Sequence, residues 1–95
     1  MEMDFKAEYF VYILTNADKT KLKPGITTSL KSVLNKRVTN LNTNERNDIY
    51  LIYYEEYDDI ETAIKREAKL ADFSQRKLKK IVTKSNPEWL FLEAC

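Results

Sequence analysis

The sequence predicts one small α+β domain: a mostly antiparallel, three-stranded sheet flanked by helices, in the order β-β-α-β-α-α-α. Three observations predict it. The chain has 95 residues, which is room for a single domain, 1–95. Runs rich in β-branched and aromatic residues, at about 8–15 and 49–57, are typical of strands. Other stretches repeat apolar residues every three or four positions, as helices do.

The first run and a short candidate strand at 21–27 are separated only by the polar residues 16–20, "NADKT". A turn this short joins neighbouring strands that run in opposite directions. We therefore expect a β-hairpin, which makes the sheet at least partly antiparallel.

Ser29 is placed to cap a first helix with an apolar stripe of Leu30, Leu34, Val38 and Leu41. Residues 42–48, "NTNERND", have the composition of a loop. After the third strand, Asp58 reads as an N-cap, with Glu61 completing a capping box. That helix runs to about Ala71.

Two more helix starts follow. Ser74 opens a helix whose apolar stripe is Leu78, Ile81 and Val82. Asn86-Pro87 has the pattern of a last short helix, with asparagine as the N-cap and proline at the first helical position.

The composition indicates the class of protein and the compartment in which we expect it. Hydrophobic residues make up 43% of the chain and charged residues 33%, as in ordinary globular proteins. No apolar run is long enough to cross a membrane, and the acidic N-terminus is not typical of a signal peptide. Cys95 is the only cysteine and there is no histidine. We expect a reducing, cytoplasmic setting without an internal disulfide or a zinc cluster.

Charge is unevenly distributed although the net charge is only +1. Residues 62–84 carry eight bases and two acids, a local excess of +6. Such a stretch can follow a phosphate backbone, or it can be a solvated helix face. The candidate nucleic-acid-binding residues are Lys65, Arg66, Lys69, Arg76, Lys77, Lys79 and Lys80.

Glu67 interrupts an apolar pattern. The predicted inward stripe of its helix is Ile60, Ala63, Ile64, Leu70 and Ala71, and helical spacing puts Glu67 on or beside that face. A buried carboxylate is costly unless it is paired or bound to a cation. Two explanations stay open: Glu67 pairs with a nearby base, or it is a ligand for a hard metal such as magnesium.

Gly25, within "LKPGIT", is the only glycine of the chain. A glycine at this point of a hairpin serves a close approach, where a Cβ would clash, or a bulge. The sequence leaves both explanations open.

Four segments, in order and at the right spacing, resemble the GIY-YIG nuclease family over nearly the whole chain. "YFVYILTN" resembles the first motif, with Tyr12 at its tyrosine, and "LKPGITTSL" resembles the second, with Gly25 at its glycine. "LIYYEEYDDIETAIKREAKLADFS" resembles the third strand and the helix that carries the metal-binding glutamate, here Glu67. "SNPEWLFL" resembles the closing segment, with Asn86 at the family's asparagine.

The resemblance implies metal-dependent hydrolysis of nucleic-acid phosphodiester bonds. Glu67 would hold one Mg²⁺ or Mn²⁺, and Tyr12 would activate or position water. The sequence departs from the family at two functional positions. Lys23 stands at the second tyrosine and Val33 at the catalytic arginine, while Arg37 falls one turn further along. Lys23 and Arg37 either compensate for these losses or are solvated surface charges.

From these departures we expect an endonuclease-like domain whose activity is impaired or lost. The alternative is a non-catalytic nucleic-acid-binding or protein-interaction module on the same fold. The expected partner is nucleic acid, with DNA favoured, and the expected state is a monomer or a weak homodimer.

Overall fold

The computed structural model describes residues 8–39 and 50–92, except for the side chains of 35–39. Its elements are β1 (Tyr9–Thr15), β2 (Leu22–Thr27), α1 (Leu30–Thr39), β3 (Tyr50–Tyr57), α2 (Ile60–Asp72) and α3 (Gln75–Ser85). The predicted α+β fold is confirmed as a three-stranded antiparallel sheet with three helices. The loop predicted at 42–48 lies outside the described residues.

The sheet has the order β2-β1-β3, and both pairings are antiparallel. β1 is therefore the central strand. Opposite the Ile13–Leu14 step, β3 carries one extra residue, because Ile13 faces Tyr53 and Leu14 faces Leu51. This bulge lets three consecutive residues of β3, Leu51, Ile52 and Tyr53, all be buried.

One face of the sheet forms the core with α2 and α3. Alternate residues of β1 (Val11, Ile13 and Thr15) have no exposed surface, as the two-residue period of a strand requires. The helices contribute Ala63, Leu70, Leu78 and Val82 to the same cluster. The predicted stripe of α3 is confirmed, with Ile81 packed at its margin.

Two residues of β2 direct their backbone groups toward the free edge of the sheet, and neither leaves an N–H without a partner there. The Gln75 side chain at the start of α3 accepts from the Leu22 backbone N–H (2.8 Å) and donates to the Leu22 carbonyl (2.9 Å). Leu22 thus directs its backbone groups outward, and strand alternation directs those of Pro24 outward too. Proline has no N–H to leave unsatisfied there, which explains why it is tolerated in this strand.

Helix capping agrees with two of the four predicted starts. The Ser29 hydroxyl accepts from the Ser32 backbone N–H (3.2 Å), and the Ser74 hydroxyl accepts from that of Lys77 (3.1 Å). The Asp58 prediction is wrong by one residue. Asp59 is the N-cap of α2, and its carboxylate accepts from both the backbone N–H and the hydroxyl of Thr62.

The predicted inward stripe of α2 is only partly right. Ala63 and Leu70 are fully buried, but Ile60 and Ile64 are 48% and 51% exposed, and Ala71 is exposed as well. The helix packs chiefly on β2 and β1 and touches this narrow sheet along a thin line. The rest of its apolar side therefore extends past the contact.

The last predicted helix is wrong: residues 87–88 form a turn, and the described part of the chain after α3 contains no further helix. Asn86 ends α3 as its C-cap, with its backbone N–H bonded to the Val82 carbonyl (2.7 Å). The chain then returns along β3, where the Leu92 N–H donates to the Leu51 carbonyl (2.8 Å). Among the described residues, no helix is both long and apolar enough to cross a membrane.

Candidate active site

The Tyr12 ring lies directly over Gly25. The two residues face each other across the β1–β2 pair, so both present the same face of the sheet. A Cβ built on Gly25 would come within 2.7 Å of Tyr12 Cε1 and closer still to Cζ and the hydroxyl. The sole glycine of the chain therefore makes room for this aromatic ring.

This contact decides between the two explanations for Gly25. Its φ is not positive, and the bulge lies in β3, opposite the Ile13–Leu14 step, and not in the hairpin. Close approach is the reason for the glycine. The absence of a side chain at Gly25 lets Tyr12 extend across β2 toward the edge of the sheet.

Glu67 is close enough to affect the Tyr12 hydroxyl. Burial, and then the negative charge of Glu67, raise the pKa of the Tyr12 phenol above its ordinary value of 10.0. Glu67 lies on α2 beside the buried line of Ala63 and Leu70 and is itself partly exposed. Within the described part of the chain its carboxylate makes no hydrogen bond and no ion pair. Of the two explanations for Glu67, pairing with a base is therefore not seen among residues 8–34 and 50–92, and the Arg37 side chain lies outside them.

The residues at the family's other polar positions are spread around this pair. Lys23 is exposed on β2 and lies two residues before Gly25, which places it on the same face of the sheet as the Tyr12 ring. Val33 is partly buried on α1. Arg37 lies one turn later in α1, but its side chain is outside the described residues.

Arg66, the neighbour of Glu67, is fully engaged with β3. Its guanidinium donates to Glu55 through Nε (3.0 Å to Oε1) and Nη2 (3.0 Å to Oε2). The Tyr57 hydroxyl donates to the same carboxylate (2.5 Å), and so does that of Tyr53. This group of four residues, the Glu55 cluster, ties α2 to β3.

Sequence reasoning missed the Glu55 cluster, although a signal was present. Alternation along β3 places Tyr53, Glu55 and Tyr57 on one face, the face that packs against α2. A carboxylate on that face needs a cation from the helix, and Arg66 supplies it. Arg66 is therefore a predicted phosphate contact whose charge is already paired with a carboxylate of the described fold.

Contacts within the Glu55 cluster shift the pKa values of its members. Burial alone would raise the pKa of the Glu55 carboxyl, but hydrogen bonds from Arg66, Tyr53 and Tyr57 together hold it below the ordinary value of 4.5. Burial, followed by the hydrogen bond to Glu55, raises the pKa of Tyr53 to about 12. The cluster is thus held with the carboxylate charged and the phenols protonated.

Asn86, at the family's asparagine, bonds to backbone groups. Its side-chain amide donates to the carbonyls of Ile52 (3.0 Å) and Leu90 (2.9 Å), and its side-chain oxygen accepts from the Leu90 N–H (3.1 Å). These bonds join the end of α3 to the middle of β3. No described contact brings Asn86 to Tyr12 or Glu67.

The predicted basic residues lie on the outer sides of the helices. Lys65 and Lys69 are each two residues from Glu67, so they point roughly 160° away from it around α2. On α3 the outer side presents Arg76, Lys79, Lys80 and Lys84, the α3 basic face, opposite the buried Leu78 and Val82. Lys77 lies over the Phe73 ring, with its Nζ 4.1 Å from the centroid.

Comparison with known proteins gives one structural match to report. No family model and no curated protein matches the sequence. Among solved structures, the solution NMR structure of the UPF0213 protein BH0048 from Bacillus halodurans matches with a TM-score of 0.58 and 22% sequence identity. The alignment covers 86% of this chain and 89% of that one.

At this level of identity the likeness bears on the fold alone. It extends over most of the length of both chains. The fold of the BH0048 protein is GIY-YIG-like, and this chain is therefore a small domain with a GIY-YIG-like fold.

Proposed function

We propose that this domain hydrolyses nucleic-acid phosphodiester bonds slowly, using one divalent cation, Mg²⁺ or Mn²⁺, held at Glu67. The observation that carries the proposal is the Glu67 carboxylate beside the Tyr12 phenol, without a hydrogen bond or ion pair in the described part of the chain. A partly buried charge without a partner is costly to keep, and ligand binding is a reason to keep it.

The residues fit a cation that is shared with the substrate. No group of three or more Asp, Glu, His or Cys side chains that could hold a metal occurs among the described residues. Magnesium does not need such a cage, because it is commonly held by one or two carboxylates, several waters and the substrate's phosphates. When bound, the cation would supply charge stabilisation at the phosphate and lower the pKa of a bound water.

Tyr12 acts in this proposal as a hydrogen-bond donor. Its raised pKa keeps the phenol protonated near neutral pH, so it orients a water or a phosphate oxygen. Lys23, on the same face, offers a positive charge to the phosphate. The donor missing at Val33 predicts a rate about 10²- to 10³-fold below that of a site with the full set.

Flanking nucleic acid would contact the positive outer sides of the helices. The α3 basic face is the main candidate, and Lys65, Lys69 and Lys77 are further candidates. Arg66 is left out of this role because Glu55 already holds it. Lys65 and Lys69 point away from Glu67 around α2, so we expect them to matter for long substrates that reach around the domain and little for short ones.

The test is cleavage of a labelled panel of single-stranded, duplex and branched DNA and RNA, with Mg²⁺, with Mn²⁺ and with chelator. Glu67→Gln should abolish metal-dependent cleavage. Glu61→Gln changes an exposed glutamate in the first turn of the same helix. It is the matched control and should cleave like the unmodified protein. Cleavage that survives Glu67→Gln would refute the proposed site.

A second candidate function is nucleic-acid binding without cleavage. It is favoured by α3, which carries five bases and no acid over residues 75–85. This module would bind the same panel in a salt-dependent manner and would cleave none of it at high protein concentration and long times. Replacing Lys79, Lys80 and Lys84 by glutamine should then flatten the salt dependence of binding.

A further inference from the structure

Tyr54 faces the candidate site from the strand on the other side of Tyr12. It lies directly opposite Tyr12 in the β1–β3 pair, so the two side chains leave the same face of the sheet with Cβ atoms about 5 Å apart. Gly25, Tyr12 and Tyr54 thus form one row across the three strands.

The Tyr54 ring is open to solvent although it stands in the middle of its strand. It is 43% exposed. Tyr12 does not cover it, because the Tyr12 ring leans the other way, across Gly25. Phe10 touches Tyr54 edge to face, with the ring centroids 6.1 Å apart and the planes at 73°. This contact orients the ring and leaves much of its surface free.

Among the described residues, none uses the Tyr54 hydroxyl as a hydrogen-bond partner. In the described part of the chain, Phe10 is its one aromatic contact and the hydroxyl has no hydrogen bond. Tyr53 and Tyr57, on the opposite face of the same strand, both donate to Glu55. The fourth tyrosine of β3, Tyr50, stacks on Phe91, whereas Tyr54 presents its ring on the sheet face of Tyr12.

We propose that Tyr54 is a base-stacking residue that binds an unpaired nucleotide next to the phosphate held at Tyr12 and Glu67. The inference rests on the proposed function and deepens it by naming a substrate class. Aromatic side chains stack nucleobases with little sequence preference. A base can reach such a ring only when it is outside a duplex, so the substrate near the site is a single strand, a flap or a bulge.

The test measures binding in the Glu67→Gln protein, where cleavage cannot interfere. Fluorescence anisotropy follows labelled single-stranded DNA and RNA and the matching duplexes. Tyr54→Ala should weaken single-strand binding about 5- to 100-fold and leave duplex binding unchanged. Tyr54→Phe keeps the ring and should bind like the parent. Phe91→Ala removes another exposed aromatic side chain, far along the sequence, and is the control.

Two readouts separate stacking from a structural effect. A 2-aminopurine base in the single strand should be quenched by the parent and by Tyr54→Phe, but not by Tyr54→Ala. The fold-loss in Tyr54→Ala should be the same at low and high salt, because stacking releases no counterions. Tyr54→Leu keeps apolar packing against Phe10 and substitutes for Tyr54→Ala if that variant does not fold.

The inference is overturned if Tyr54→Ala binds single strands within two-fold of the parent, if Tyr54→Phe loses as much as Tyr54→Ala, or if the parent binds no single strand. Its failure is distinct from failure of the proposed function, which shows as absent cleavage by the unmodified protein. Cleavage that does not depend on Tyr54 would remove the stacking role alone.

Discussion

Glu55 and Glu67 are two partly buried carboxylates on neighbouring elements, and the fold treats them differently. Glu55 accepts hydrogen bonds from three side chains and pairs with Arg66. Glu67, the residue next to Arg66, has no hydrogen bond or ion pair in the described part of the chain and faces Tyr12. One carboxylate is bound within the described fold, and the other is the one that we propose binds a cation.

The largest expected difference between the two is in stability. Glu55→Gln removes the charge that holds Arg66 and should lower the free energy of unfolding by about 2–3 kcal/mol, since the two side chains are only 16% and 28% exposed. Glu67→Gln should stay within about 0.5 kcal/mol of the parent. Urea unfolding followed by circular dichroism measures both. Equal losses would abolish the distinction.

The next prediction concerns the contact between Gly25 and the Tyr12 ring. Gly25→Ala places a methyl group into the Tyr12 ring and should cost about 1–3 kcal/mol. In a Tyr12→Ala background the same change should cost little, because the ring that it meets is gone. A double-mutant cycle measures the coupling. Equal costs in both backgrounds would mean that the ring does not lie over Gly25.

Acid should weaken the stabilisation that the Glu55 carboxylate provides. The folded-state pKa of Glu55 is held below 4.5, so its stabilisation is present above pH 4.5 and is lost as the pH falls through the folded value. The difference in unfolding free energy between the parent and Glu55→Gln should shrink as the solution is acidified from pH 6 to 3. A difference that stays constant over that range would contradict the sign.

The smallest effects are in tyrosine titrations, followed by NMR of ring-labelled protein. Glu67→Gln should lower the pKa of Tyr12 toward 10.0 without reaching it, because burial is the larger cause of its elevation. Glu55→Gln should instead lower the pKa of Tyr53 from about 12. Each substitution should leave the other tyrosine unchanged. If Glu67→Gln changed the pKa of Tyr53, or Glu55→Gln that of Tyr12, the two carboxylates would be coupled through α2.

The sequence was a good guide where local chemistry decides the outcome. Strand runs, the hairpin and the Ser29 and Ser74 caps follow from patterns a few residues long, and the structure confirms them. The close approach at Gly25 was one of two explanations, and only the register of β1 on β2 could choose between them. The position of Glu67 beside the buried line of α2 also followed from helical spacing.

The errors arose where tertiary contacts decide. Ile60 and Ile64 fit the apolar period, yet the narrow sheet does not reach them. Asn86-Pro87 fits a helix start, yet the Asn86 side chain bonds to the carbonyls of Ile52 and Leu90 instead. The Glu55–Arg66 pair joins residues eleven positions apart, which no single-element pattern connects. The period of apolar residues indicates which side of a helix is apolar, but it does not indicate how much of that side the sheet covers.

The protected edges of the sheet bear on how the protein behaves when it is concentrated. A growing aggregate recruits a new strand through free backbone N–H and C=O groups at a sheet edge. On β2, Gln75 occupies both groups of Leu22 and Pro24 has no donor; on β3, Leu92 occupies the Leu51 carbonyl. Replacing Gln75 by alanine would expose one such pair of groups, so long-term solubility should depend on this one glutamine.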